Sequence, residues 1–165
     1  MTPYKQLLLG FCKKEIVHYL KSNQHDIEEA LGLAIGNDQP FSWRAAWVLG
    51  DVVEENDPRI KNHVKRIIGA ISTSRDGQQR DLLRIVSFMD WDEQDEGNLF
   101  DICTRIWLSI ARQPVTRYRA LLTLHRIAKK HPELKNEIKT NTTQEYIETL
   151  SPGVKKAVFR MLSKL

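Results

Sequence analysis

Trp43-Arg44-Ala45-Ala46-Trp47-Val48-Leu49-Gly50-Asp51-Val52-Val53-Glu54-Glu55 is the stretch on which the fold turns. At helical period, Trp43, Ala46, Trp47, Gly50 and Val53 mark one face, and Ala45, Val48, Leu49 and Val52 mark another. A helix apolar nearly all round must be covered on several sides. A lone surface hairpin offers no such cover, whereas in a stack of hairpins a middle helix is enclosed by its partner and by neighbouring repeats. The stretch therefore predicts a layered all-α array, with Ser42 capping a helix from Trp43 to Glu55.

Proline spacing carries this outward. Pro40 and Pro114 are 74 residues apart, and so are Pro58 and Pro132. Arg44-Ala45 returns as Arg119-Ala120 after 75 residues; Pro58, Lys61, Asn62, Val64 and Lys65 return as Pro132, Lys135, Asn136, Ile138 and Lys139 after 74. Arg80-Asp81-Leu82-Leu83 begins 36 residues after Arg44, so the long offset holds two periods of about 37. That length suits one helix pair, lying between tetratricopeptide units of about 34 and HEAT or armadillo units of about 40 to 47. Trp47-Val48-Leu49-Gly50 lacks the tetratricopeptide spacing, which makes HEAT-like repeats the preferred reading.

The remaining segments fit the same scheme. Thr2 and Pro3 open a predicted helix reaching about Leu20, and a second carries Ile27, Ala30, Leu31, Ala34 and Ile35 before Gly36-Asn37-Asp38-Gln39-Pro40 stops it. Asp57-Pro58 starts another, with Ile60, Val64, Ile67, Ile68 and Ile71 on one stripe and Ser72-Thr73-Ser74 with Gly77 as its end. Helical stripes recur at Leu82, Ile85, Val86 and Met89, then from Leu99 to Ile110, then from Ala120 to Ala128. After Pro132 come short polar helices, and Ser151-Pro152-Gly153 restarts the chain as a C-terminal capping helix with Lys155, Lys156, Arg160 and Lys164 off its apolar stripe. No segment alternates as a strand.

Composition excludes several classes. With 165 residues, 41% hydrophobic and 28% charged, the chain is neither disordered nor a membrane protein, and one domain over residues 1–165 is expected. No apolar run nears the ~20 residues of a membrane span, and Leu7-Leu8-Leu9-Gly10-Phe11 is too short for a signal peptide, so a cytoplasmic chain is expected. Cys12 and Cys103 are far apart, without metal or redox spacing, and lie on apolar stripes as inert core thiols. His18 with His25 and His125 with His131 miss the spacing of a helical zinc site. Neither a phosphate-binding glycine loop nor a nucleophile elbow is present, and no catalytic residue, cofactor or metal is expected.

Charge is uneven. Ser87 to Asp101 holds six acids and no base, whereas Ile102 to Thr142 holds nine bases and two acids. The basic stretch reads either as solvated helix faces or as a stripe for phosphates or an acidic partner. The acidic one imitates a calcium loop from Asp90, but Asp95 stands where the turn needs Gly and Asp101 where a bidentate Glu belongs. Arg44, Arg80 and Arg119 occupy equivalent repeat positions, with Arg84 one turn beyond Arg80. They read as groove ligands or as a ladder paired with Asp81 or Asp51. Trp43, Trp47, Trp91 and Trp107 read as packing between layers.

Taken with Ser42 to Leu49 followed by Pro58, the Ala128-Lys129-Lys130-His131-Pro132-Glu133-Leu134-Lys135 stretch and the Ser151-Pro152-Gly153 helix, the whole chain resembles a group of bacterial HEAT-like proteins, mostly from Bacteroidetes. The resemblance implies a fold and no activity. Trp47-x-x-x-Asp51 with Arg84 also looks like the aromatic, carboxylate and arginine set of the HEAT-like DNA alkylation repair glycosylases. There the aromatics hold a damaged nucleotide, the Asp stabilises a cationic transition state and the Arg grips phosphate. This chain is shorter than those enzymes, and His125 lies near where a second tryptophan would fall. The expectation is an all-α right-handed superhelix of about four HEAT-like helix pairs, serving as a non-catalytic module for a protein partner. Trp43, Arg44, Arg80, Arg84, Arg117, Arg119 and Arg126 are its candidate contacts. The alternative is nucleic-acid binding, with Trp47, Asp51 and Arg84 as the glycosylase-like set.

Overall fold

Caps and prolines set where the helices of this computed structural model, which describes residues 1–165, begin. Twelve form: α1 (Pro3–Gly10), α2 (Lys13–Ser22), α3 (Ile27–Ala34), α4 (Phe41–Leu49), α5 (Pro58–Lys61), α6 (Val64–Thr73), α7 (Asp76–Ser87), α8 (Glu93–Leu108), α9 (Pro114–Lys130), α10 (Lys135–Asn141), α11 (Gln144–Glu148) and α12 (Pro152–Leu162). No strand is present, and no helix is long and apolar enough to cross a membrane. Proline opens α1, α5, α9 and α12, where its missing N–H costs nothing. Asp57 accepts from the Arg59 N–H at 3.0 Å to cap α5, and Asp92 accepts from the Asp95 N–H at 2.7 Å to cap α8.

The helices pair as the period demands. In α3/α4, α6/α7, α8/α9 and the α10–α11/α12 pair, the second helices start at residues 41, 76, 114 and 152, close to every 37. The chain is thus an all-α helical-repeat fold. It divides into two compact units, Met1–Trp91 and Asp92–Leu165. In the first, α4 is packed by α1, α2, α3 and α7, and α6 packs on α7. Ala45, Ala46, Val48 and Leu49 are wholly enclosed, which is why this helix can be apolar on nearly every side. In the second unit α9 has the same central place among α8, α10 and α12.

Polar groups lock the loops of the first unit. Gln78 Nε2 donates to the Ala34 and Gly36 carbonyls, each at 2.8 Å, and satisfies the end of α3. Asn56 takes the left-handed conformation at φ 49°, which Asn tolerates better than most residues. Its N–H donates to the Phe88 carbonyl at 2.8 Å, and its side chain exchanges hydrogen bonds with Asp90 at 2.9 and 3.0 Å.

Several boundaries differ from expectation. The first helix does not reach Leu20 unbroken: it stops at Gly10, and α2 restarts with the Cys12 N–H bonded to the Glu15 carboxylate at 2.9 Å. Cys12 is exposed at that break and is no core thiol, while burial pushes the Cys103 thiol up to about 12. The Trp43 helix begins at Phe41 and ends at Leu49, not Glu55; Ser42 lies buried in its first turn, its hydroxyl donating to the Asp38 carbonyl at 3.2 Å. Gly77 falls inside α7 and does not end α6.

The largest correction concerns Arg117, which is fully buried and cannot be a surface contact. Its guanidinium lies 4.8 Å from the Trp107 ring, with Nε donating to the Trp107 carbonyl at 2.8 Å, NH1 to the Thr149 hydroxyl at 2.6 Å and NH2 to the Tyr146 carbonyl at 3.0 Å. One planar group thus joins α8 to the α11 end. Arg117→Ala should lower unfolding free energy by about 3 kcal/mol, because charged hydrogen bonds and the burial of their acceptors are lost together. Arg117→Lys should recover little, since an ammonium cannot reach three acceptors in this fork; urea unfolding of both variants checks this.

Candidate functional site

Because Trp43 and Trp47 are one turn apart on α4, their rings meet, with centroids 6.0 Å apart and planes tilted by 46°. Trp43 is 39% exposed, which corrects its assignment as a packing residue, and Trp47 is half-buried. The Arg44 guanidinium lies 5.5 Å from the Trp43 ring, and its NH2 makes one long bond, 3.5 Å, to the Phe11 carbonyl. Lys13, the first residue of α2, brings its Nζ 4.6 Å over the Trp47 ring.

Asp51 closes the cluster. It stands beyond the end of α4, yet the same Lys13 that covers Trp47 holds its Oδ2 at 2.7 Å. From α7, Arg84 NH1 holds its Oδ1 at 2.6 Å. Gly50 lies against that arginine: a Cβ there would meet Cδ and NH1 of Arg84 at 3.4 Å, an ordinary contact. The Lys13, Arg84 and Asp51 side chains are 22%, 33% and 35% exposed, so the triad is open to water on one side. Two cations hold one carboxylate beside the Trp47 indole, and a third, Arg44, lies over the Trp43 ring. Partial burial pushes the Asp51 carboxyl up, but the hydrogen bonds from Lys13 and Arg84 outweigh this and hold it below the ordinary carboxylate range.

Of the residues expected from the sequence, the fold brings Trp43, Arg44, Trp47, Asp51 and Arg84 together. Arg80, one turn before Arg84, gives its guanidinium to buried Asp81 through bonds of 3.1 and 2.8 Å. Arg119 and Arg126 are half-buried on α9 in the other unit. Lys13 was not foreseen, although it precedes Trp47 by 34 residues, about one repeat.

The glycosylase-like set is therefore assembled, but its carboxylate is neutralised from two sides, which weakens its attraction for a developing cation. His125 is buried with its Nε2 unpartnered; desolvation, then repulsion from Lys129, Lys164 and Lys135, lower its pKa and keep the imidazole neutral at pH 7. In the acidic stretch, Glu96 is buried and bound to Lys130 and, at 2.7 Å, to His131 Nε2. No group of three or more His, Cys, Asp or Glu side chains is gathered as a metal ion would need.

The model of the HEAT repeat domain family matches residues 12–165. No curated protein and no solved structure matches the chain.

The Asp51 carboxyl should titrate below the ordinary value of about 3.9 in a carbon-detected NMR titration, and Lys13→Gln or Arg84→Gln should raise it. Since the folded pKa is the lower one, the stability the charge supplies is complete above the unfolded pKa and is lost as pH falls through the folded value. The gap between wild type and Asp51→Asn should stay constant near neutral pH and close in acid. A gap that persists at pH 2 would show that the charge is not its source.

Proposed function

We propose that this chain, which belongs to the HEAT repeat domain family, is a non-catalytic protein-interaction module whose contact surface is the cluster at Trp43, Arg44, Trp47, Lys13 and Arg84. The observation that carries it is a tryptophan 39% exposed, with an arginine over its ring, on a helix whose Ala45, Ala46, Val48 and Leu49 are wholly enclosed. Tryptophan and arginine dominate the energetics of protein interfaces, and an indole left in water is otherwise a solubility cost. Arg80 edges the surface with its charge already answered by Asp81. Two free cysteines, Cys12 and Cys103, suit a cytoplasmic protein.

Nucleic-acid binding is the second reading, favoured by the nine bases between Ile102 and Thr142. Residues 1–91, however, carry twelve bases and twelve acids, and the whole excess of +4 lies in residues 92–165. Trp43, Trp47, Asp51 and Arg84 thus belong to a unit without net charge, which gives a phosphate backbone little to condense on.

Wild-type protein and Trp43→Ala, matched in helical content, should differ in affinity capture from cell extract: species retained by the first should be lost or reduced at least tenfold with the second. Duplex and single-stranded DNA should not bind even at low salt. Salt-sensitive DNA binding weakened by Arg119→Ala or Arg126→Ala would instead establish the second reading.

A further inference from the structure

We propose that Lys13 and Arg84 form a carboxylate seat that Asp51 fills from within the chain, and that the partner is an acidic peptide segment whose own Asp or Glu takes that seat while a neighbouring apolar side chain lodges on Trp43 and Trp47. It rests on the interaction function proposed above and names the chemistry of the partner.

The geometry of a seat is present. Two donors from different helices, Lys13 Nζ on α2 and Arg84 NH1 on α7, address separate oxygens of one carboxylate at 2.7 and 2.6 Å. Such charge-assisted bonds are strong and directional, and nothing about them requires the acid to be intramolecular. Asp51 approaches from the turn after α4, so its withdrawal breaks no helix. About a third of its side chain is open to solvent, giving a competing carboxylate a way in.

The surroundings specify what else the segment carries. The indole of Trp47 lies under Lys13, and that of Trp43 extends the apolar platform outward. Arg44 supplies a further cation whose only hydrogen bond is long, so a second acidic residue would be answered there. Lys13, Arg44 and Arg84 against Asp51 leave the cluster positive while its unit is balanced overall. A local excess within a neutral field selects a short acidic segment over an extended polyanion. An internal carboxylate that must first leave also lowers apparent affinity by the fraction of open sites, so its removal should be a gain of function.

The test begins with a randomised peptide display library panned on the full chain, with the selected sequences synthesised and their affinities measured by fluorescence anisotropy. Selected peptides should be enriched in Asp or Glu next to an aromatic or branched apolar residue. Lys13→Gln, Arg84→Gln and Trp43→Ala should each weaken them about tenfold, whereas Asp51→Asn should tighten them about fivefold. Asp51→Ser serves the same purpose if the Asn variant loses helical content. A library that yields no binder, or binders without acidic enrichment, overturns the acidic partner; the capture experiment with Trp43→Ala still judges the interaction function separately. Acidic peptides that Asp51→Asn binds no better, or less well, overturn the seat. Displacement of the peptides by a single-stranded thymidine oligonucleotide at equal concentration would give the surface to nucleic acid and overturn the proposal.

Discussion

The enclosure of α4 is the constraint from which the rest of the first unit follows. Its apolar residues run nearly round the helix, so no single partner can cover it, and α1, α2, α3 and α7 all pack against it. Ala45 and Ala46 are small enough to admit close neighbours, while Val48 and Leu49 fill the spaces they leave. The cover gives out at Trp43. That indole marks where the cover of α4 leaves apolar surface in water, against the Trp47 ring and under the Arg44 guanidinium.

Stacking alone does not fix how one layer sits on the next. Apolar contact is nondirectional, and helices in a repeat array can slide until polar groups pin them. In both units the pins recur at about one repeat. Arg44 reaches back 33 residues to the Phe11 carbonyl, Arg84 reaches back 33 to Asp51, and Asn56 joins Asp90 across 34. In the second unit His131 binds Glu96 across 35 residues and Trp107 Nε1 donates to the Asn141 carbonyl across 34. Of these groups Glu96 and Trp107 are buried, and burial leaves their polar atoms in need of a protein partner.

The period and the pairing of helices were legible in the sequence, because prolines and apolar stripes report local geometry. Helix ends were less so. Apolar residues continue through Phe11 and Cys12, and only the Glu15 carboxylate on the Cys12 N–H shows that one helix stops and another starts. Likewise the stripe from Trp43 runs on to Val53, but the chain leaves the helix at Leu49 and turns through Gly50 to Asp51. For the site, Trp43, Arg44, Trp47, Asp51 and Arg84 could each be singled out from repeat position or motif. Lys13 could not, because it has no motif and acquires its role by lying one layer away. Arg117 shows the opposite failure: an arginine in a basic helix reads as surface, and nothing near it in the chain announces that its three acceptors come from Trp107, Tyr146 and Thr149.

Asp51 illustrates how a repeat protein can tie an interface to its own packing. Its carboxylate joins α2, the turn after α4 and α7, three elements that a HEAT-like layer must keep in register. The same bonds set the spacing and orientation of Lys13 and Arg84, so the cations are organised before any external acid arrives, and binding need not order them. The cost is competition, since a group that organises the seat also occupies it. Burial raises the energy of the ionised Asp51 while the two cations lower it, and the sum is an ion triad held at the surface, neither sealed in the core nor freely solvated. A triad in that position is firm enough to register the layers and open enough to be exchanged, which the deeply buried Arg117 is not.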